Sequence, residues 1–545
     1  MIDTMNRVLK ISGYLGRFGV RTYTSRIPQL CDPSFSTTNL PSMADRVSAA
    51  RELVALLTPL ANEEQRPASS KPSNGTSPVP DSREVLSAIE SLLRTLTPEK
   101  PLYAAFHDGQ VHDPLGGGSY AFREDLVKPL LEGLMRDEVL SANAQSGFEA
   151  QPGQNMPTRP IVIHAGAQPN NSPHCGTLIV FCYAFAVAQA MRDRMLAMVA
   201  HGETTSQPPP VSVNITFVDT APVNGAGIEV DGIHYQKSYR DTPSASAAWT
   251  GDYHEVLSFL STWSDIPVTT AVQSDFFSNP FMPQLLDYFV TNHHTLGRQL
   301  SPKYGALALR AACPVPGCGL AEKHGRLNQY TTSTPTKPTT TRTDSPPPSP
   351  TPPASITFHC PHHGAHTLPL TANPLALSRL EANAPTRNLL RSMSHLLDAS
   401  THHVRVTGAD YAGGYQETML YRPLAEWGAA MAEMAAGVGK GQGAARGRTP
   451  HILYAPLVVD WSGAKLSKSL YVREGGYEGM RLFGTEGLGS YRVLKGVVRG
   501  SAEEGEGLRR IWEEVRRWVA DPRKVFRCYS VEYLRKVVVE GRGWE

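Results

Sequence analysis

The stretch Pro160-Ile-Val-Ile-His164-Ala-Gly-Ala-Gln-Pro-Asn-Asn-Ser-Pro-His174-Cys-Gly176-Thr177, running into the apolar residues 178–188, decides the fold. The β-branched start reads as a strand. Asn, Ser and Pro then supply capping and helix-initiating chemistry, and residues 176–200 read as a long helix. The same pattern recurs along the chain. Residues 211–218 (VSVNITFV), 404–407 and 451–459 (HILYAPLVV) read as strands, and residues 255–264, 283–299 and 414–427 as helices. Strands separated by helical segments predict an α/β fold with an open, parallel, Rossmann-like sheet. Ligands of such sheets sit outside the carboxyl ends of the strands. The loops after Ile163, Val218, Thr407 and Val459 are therefore where chemistry is expected.

In the first loop, His174 and Gly176 fall in the first turn of the long helix, where free backbone N–H groups and the helix dipole favour an anion. Gly176 has no side chain to keep a nucleotide from the backbone. Taken alone, a His at this place could equally be a helix cap. The late loop is Asp460-Trp-Ser-Gly-Ala-Lys465-Leu466-Ser467-Lys468-Ser469: two lysines three residues apart among small hydroxyl side chains, a cationic loop suited to a triphosphate. Asp219, at the end of the second strand, could receive a substrate ammonium or cap the following turn. The Gly-rich basic residues 435–450 lack the GxxxxGK[ST] spacing and read as a surface loop.

Read together, PNNSPHCGT resembles the HIGH signature of class I aminoacyl-tRNA synthetases, and KLSKS resembles their KMSKS signature. The two lie roughly 290 residues apart in the right order, each after an expected strand. Within that superfamily the chain is most similar to class I lysyl-tRNA synthetases, through Asp252-Tyr-His-Glu-Val-Leu-Ser-Phe-Leu, Gln273-Ser-Asp-Phe-Phe and the Gly408-Ala-Asp410 loop before Gly413-Gly414-Tyr415. The resemblance spans roughly residues 158–475. It implies the HUP type of Rossmann-like domain and an ATP-dependent ligase that activates an amino acid as its adenylate, with Mg²⁺. It also implies roles for residues: His174, Lys465 and Lys468 catalytic; Gly176, Thr177, Ser467, Ser469 and Asp410 at ATP; Ala165, Gly166, Asp219 and Gly408 at the amino acid. Thr177 stands where the signature carries His or Asn. The rival readings are a non-catalytic synthetase-like ATP-binding protein and a nucleotidyltransferase acting on another small molecule.

Cys313-Pro-Val-Pro-Gly-Cys318 is a C-x4-C knuckle and Cys360-Pro-His-His363 a C-x2-H knuckle. Thiolate and imidazole in two tight-turn pairs suit a closed, tetrahedral, structural Zn²⁺ site of Cys313, Cys318, Cys360 and His363. His359, His362 and His366 are alternatives for the fourth ligand, and buried free cysteines are the bland alternative for the whole set. The resemblance supports zinc at this place.

The length of 545 residues allows three or four domains, and 41% hydrophobic against 19% charged residues excludes wholesale disorder. A net charge of +2 gives no electrostatic reason for a polyanion partner, and seven cysteines argue against a secreted disulfide scaffold. The longest apolar run, residues 178–188, is short of the ~20 residues a spanning helix needs, so a soluble intracellular protein without a membrane partner is expected. Residues 1–26 carry Arg7, Lys10, Arg17, Arg21 and Arg26 against Asp3 alone, and a helix would gather Val8, Ile11, Leu15 and Phe18 on one face. That is the pattern of a mitochondrial presequence, so a mitochondrial or cytoplasmic location is expected.

The expected organisation is a presequence or disordered segment 1–42, a helical extension 43–157 with linker 62–83, and half-domains 158–300 and 371–475. Between the halves lies a zinc-knuckle insertion 301–370, interrupted by the Pro/Thr-rich residues 331–353. A short helical region 476–545 closes the chain, too small for a large anticodon-binding domain. Its stripe Leu508, Ile511, Val515 and Trp518 is expected to pack on the catalytic domain. Arg509, Arg510, Arg516 and Arg517, balanced by Glu513 and Glu514, leave a weakly basic face, so any tRNA binding should be weak.

Overall fold

In the computed structural model, the described residues are 125–146, 156–204, 206–223, 225–332, 354–371, 373–438, 450–460, 463–466, 485–497, 505–525 and 527–541. The chain divides into two units, Met1–Glu99 and Lys100–Glu545, and every described residue belongs to the second. The presequence-like residues, linker 62–83 and nearly all of segment 331–353 lie outside the described residues, as do Ser467, Lys468 and Ser469.

Five strands form one parallel sheet: β1 (Ile161–Ala167), β2 (Val211–Phe217), β3 (Val268–Val272), β4 (His402–Gly408) and β5 (His451–Ala455). Their order is β5-β4-β1-β2-β3, every neighbouring pair parallel. This is the doubly wound order 3-2-1-4-5, so its switch point falls between β1 and β4. The α/β, Rossmann-like expectation is met by the sheet itself.

Side-chain alternation divides the sheet into two unlike faces. On β1, Ile161, Ile163, Ala165 and Ala167 are buried in the core that includes helix α1 (Cys175–Ala200), while Val162, His164 and Gly166 turn the other way. The length and composition of α1 would suffice to cross a membrane, but thirteen of its residues are buried here. Helix α2 (Ser244–Ser264) packs on the same core. A late helix (Glu506–Ala520) adds Leu508, Ile511, Trp512, Val515 and Trp518, so the apolar stripe read in the sequence is inside. Its arginines are largely spoken for: Arg509 pairs with Glu513, Arg510 with Glu506 and Arg517 with Glu514.

The opposite face is covered by a second core built from segments between β3 and β5. Helix α3 (Ala384–Leu397) supplies Leu389, Leu390, Met393 and Leu396, and Leu309, Ile356 and Phe358 come from the inserted antiparallel strands. That insertion holds strand Leu309–Ala311 against Leu380–Ala382, and a three-stranded sheet of Gln329–Thr331, Ser355–Cys360 and Gly364–Pro369. At the amino ends of the strands, helix Val127–Ser146 clamps the sheet. Asp137 lies 2.8 Å from His451 and Glu138 2.7 Å from His402, the first residues of β5 and β4. The carboxyl ends are left open.

Candidate functional site

The polypeptide leaves β1 at Ala167 and re-enters helix at Cys175, with His174 as an extended N-cap (φ −86, ψ 166). Its carbonyl accepts from Thr177 N at 2.8 Å and Leu178 N at 3.0 Å, which starts the helix. The His174 side chain does not cap; its Nε2 lies 3.4 Å from Thr177 Oγ1. A Cβ on Gly176 would come within 2.9 Å of His174 Cε1, so glycine is what lets the imidazole lie over the first turn. Cys175, beneath, is fully buried, and burial drives its thiol up to about 12, which leaves it an ordinary apolar residue.

Across the switch point, β4 ends at Gly408 and a single 3₁₀ turn carries Asp410. A Cβ at Gly408 would stand 2.5 Å from Asp410 Oδ1, so this glycine admits the carboxylate folded back over the strand end. Lys465 Nζ donates to Asp410 Oδ2 at 2.6 Å. Both side chains stay accessible, at 41% and 32% exposure, so the pair can open for a ligand. The turn that presents Lys465 is pinned by Asp460 Oδ1 accepting from Ala464 N at 2.9 Å and by Leu466 N donating to Val458 O at 2.8 Å. Gly463, with φ +81, makes that turn.

These pieces border one cavity of about 600 Å³ at the carboxyl ends of β1 and β4. Ala165, Gly166, His174, Gly176, Thr177, Gly408, Asp410 and Lys465 all line it. Asp219 does not. Its carboxylate accepts from Ser274 N at 3.0 Å and Ser274 Oγ at 2.6 Å, tying the end of β2 to the turn after β3. Those bonds are neither a contact with the cavity nor a cap on the turn that follows β2, the two roles open to it from the sequence.

Sequence reasoning missed the wall facing the signature loop. Arg387 and Arg391 from α3 and Arg405 from β4 line the cavity, with Arg310 nearby. Behind them, His164 Nε2 lies 2.9 Å from His403 Nδ1, and His403 Nε2 lies 2.8 Å from Asp398 Oδ2. His395 stacks on His403 at 4.1 Å. Burial, with the positive fields of His403, Arg391 and Arg405, pushes His164 down to about 3, so it is neutral at physiological pH. The signal for this wall was present: Arg387, Arg391 and His395 recur every fourth residue after the cap Asn383, whose side chain accepts from Thr386 N. Without a helix assigned there, that spacing had no face to define.

The cysteine–histidine set does assemble. Cys313 Sγ lies 3.4 Å from His363 Nδ1, Cys360 Sγ 3.6 Å from the same nitrogen, and Cys318 Sγ 3.7 Å from Cys360 Sγ. Two sulfurs at ~2.3 Å from one tetrahedral ion should be ~3.8 Å apart, and a sulfur and an imidazole nitrogen ~3.5 Å. The spacings therefore match the edges of such a tetrahedron, and the group could hold a metal ion. His363 fills the fourth place, whereas His359 Nδ1 is engaged with Tyr235 Oη at 2.9 Å. Gly317, at φ +81, makes the first knuckle's tight turn. Burial opposes ionisation of Cys360, but hydrogen bonds from the backbone N–H groups of His362 and His363 and from the thiols of Cys313 and Cys318 together outweigh it and hold that thiol below its usual value.

No protein-family model matches the chain, and no curated protein matches it. Among solved structures it is similar to a Campylobacter jejuni chain provisionally designated an arginyl-tRNA synthetase. The alignment covers 76% of this chain and 90% of that one, at 8% identity and a TM-score of 0.22. A likeness that slight carries no argument about function, which rests instead on the residues gathered at the sheet's carboxyl edge.

Proposed function

We propose that the chain activates a small carboxylate, most simply an amino acid, with ATP, as class I aminoacyl-tRNA synthetases do. The observation that carries this reading is the single cavity at the β1/β4 switch point. It brings His174, Gly176 and Thr177 together with Gly408, Asp410 and Lys465, residues widely separated in the chain. In this reading a carboxylate oxygen attacks the α-phosphorus in line. A P–O bond forms, the bond to the bridging oxygen breaks, and pyrophosphate leaves.

Negative charge grows on the phosphates, so preorganised donors supply most of the rate. His174 and the N–H groups of the first turn of α1 stand on one side and Lys465 on the other; Ser467, Lys468 and Ser469, which follow it in the chain, would add further donors. Asp410, released from Lys465, would take the ribose hydroxyls or the substrate amine. Asp410 is the sole carboxylate among the described cavity-lining residues. Mg²⁺, the usual neutraliser in this chemistry, would therefore be held largely by the phosphates themselves. Zinc at Cys313, Cys318, Cys360 and His363 would lock the two knuckles of the insertion together, a structural part only. Transfer to tRNA is a further proposal, with weak, salt-sensitive binding expected from the paired arginines of the last helices.

ATP–pyrophosphate exchange across a panel of amino acids tests the reading. Exchange dependent on one or a few of them is expected. Absence of exchange with every one, in a folded, metal-replete preparation, would favour the non-catalytic alternative.

A further inference from the structure

The wall opposite the signature loop carries more positive charge than the phosphate chemistry uses. Arg405 pairs in register with His164 and lies three residues before Gly408, so it stands about 10 Å back from the edge where Asp410 and Lys465 meet. Arg387 and Arg391, one turn apart on α3, border the cavity with it. Arg310 shows how a buried arginine is ordinarily settled here: its Nε lies 2.7 Å from Glu381 Oε2, while Arg240 grips the other oxygen at 2.9 Å. The remaining three have no such partner among the described residues. Arg405 donates to the neutral Asn388 at 2.7 Å and Arg391 to the neutral Gln273. The Arg387 guanidinium forms no hydrogen bond with any described residue.

Burial pushes Arg387 down to about 10 and Arg391 and Arg405 below the ordinary guanidinium range; at Arg391 the two neighbouring guanidinium groups push the same way. All three nevertheless remain protonated at neutral pH. Half-buried and crowded around one cavity, these like charges favour a counter-charge, and the described residues offer this wall no carboxylate. An anionic group of a ligand in the cavity would supply that counter-charge. A distal ammonium would be repelled, as the same field opposes a proton on the adjacent His164 and His395.

We propose that Arg387, Arg391 and Arg405 form the side-chain subsite for a substrate bearing a second, distal carboxylate. Such a substrate is an acidic amino acid or related dicarboxylate rather than lysine. Planar guanidinium forks match a carboxylate's two oxygens, and the substrate's other carboxylate would then lie toward Lys465 and the phosphates. The subsite rests on the proposed carboxylate activation only for which end of the substrate reacts.

Calorimetric titration and thermal shift on the full chain read binding without catalysis, using L-glutamate, L-aspartate, L-glutamine, L-asparagine, L-lysine and tripolyphosphate as probes. An acid is expected to bind roughly 30-fold or more tightly than its own amide, with lysine weakest. Arg387→Gln should abolish that preference while leaving the free protein as stable as before, or more so; Arg391→Lys should retain part of it. Equal binding of acid and amide, a preference for lysine, or no binding of either acid would overturn the subsite. Tripolyphosphate binding lost in Arg387→Gln would assign the wall to the nucleotide and overturn it too. Acid selectivity without any ATP–pyrophosphate exchange would keep the subsite and remove the proposed function, so the two ideas fail separately.

Discussion

The two faces of the parallel sheet are built from the same strands but do opposite work. Toward α1, β1 presents Ile161, Ile163, Ala165 and Ala167 to a core closed by Trp512 and Trp518. Toward the cavity, the adjacent positions are His164, Gly166, Arg405 and Thr407, polar or missing a side chain. The apolar face lowers the free energy of folding. The polar face raises it, by burying neutral imidazoles and crowding like-charged guanidinium groups around the cavity. Stability and chemistry are thus separated by one pleat, and substitutions on the two faces should part company.

The largest effect is expected from the insertion. Removing metal with a chelator, or making Cys318→Ser, should unfold or strongly destabilise the knuckle region, visible as a lowered Tm and loss of about one zinc per chain. A metal-free chain that melts where the untreated one does would remove the metal from the account. Next, Trp512→Ala on the apolar face should lower stability by ~3–5 kcal/mol in denaturant unfolding without changing which ligands bind. On the cavity face, His174→Ala should lower the exchange rate by ~10²–10³ with Tm held, because it removes a donor and no core contact. If both substitutions moved Tm equally, the division of labour between the faces would be wrong.

The smallest effect is in pH. Burial opposes the charge on Glu138, but hydrogen bonds from His402, Thr158 and Arg159 outweigh it and hold the carboxyl down at about 2. A depressed carboxyl adds stability above its unfolded value near 4.5, lost as pH falls toward 2. His164, down at about 3, binds its proton more readily unfolded, so its burial costs the fold stability progressively as pH falls from about 6.5 to 3. Tm should therefore fall monotonically on acidification. Glu138→Gln should flatten the part below about 4.5, by roughly 1–3 kcal/mol in total, and His164→Gln the part above it. A Tm rising between pH 6 and 4 would contradict both assignments.

What the sequence made legible follows the same division. The β1 strand, the start of α1 and the Lys465 loop were readable because each depends on local chemistry: β-branched residues, a Pro-bearing turn before a long apolar run, Gly and Lys in a short turn. The expected Asn and Ser capping is not formed, since the N-cap of α1 is His174, with no side-chain cap. The stripe of Leu508, Ile511, Val515 and Trp518 was readable from its helical spacing. Strand β3, Val-Thr-Thr-Ala-Val, was not, because it lies at the sheet edge with mostly exposed side chains and shows no apolar alternation. Helix α2 begins at Ser244, eleven residues before its expected start, behind a Ser- and Ala-rich stretch with no acidic first turn. The arginine wall depends on α3 meeting β4 across the insertion, a long-range fact that no local pattern states. Among the four histidines open as partners of the cysteine set, His363 is the one that the turn after Cys360 brings to the three sulfurs, a placement that the spacing alone does not select.

The most direct test of the central claim is capture of the acyl-adenylate itself. The purified chain, incubated with ATP labelled at the α-phosphate, Mg²⁺, pyrophosphatase and the amino-acid panel, should yield a labelled aminoacyl-adenylate with at least one amino acid. His174→Ala and Lys465→Ala should each reduce the yield by ~10² or more while folding normally. A wild-type chain that binds ATP in the cavity but forms no adenylate with any amino acid, or variants that form it at the parental rate, would contradict the account.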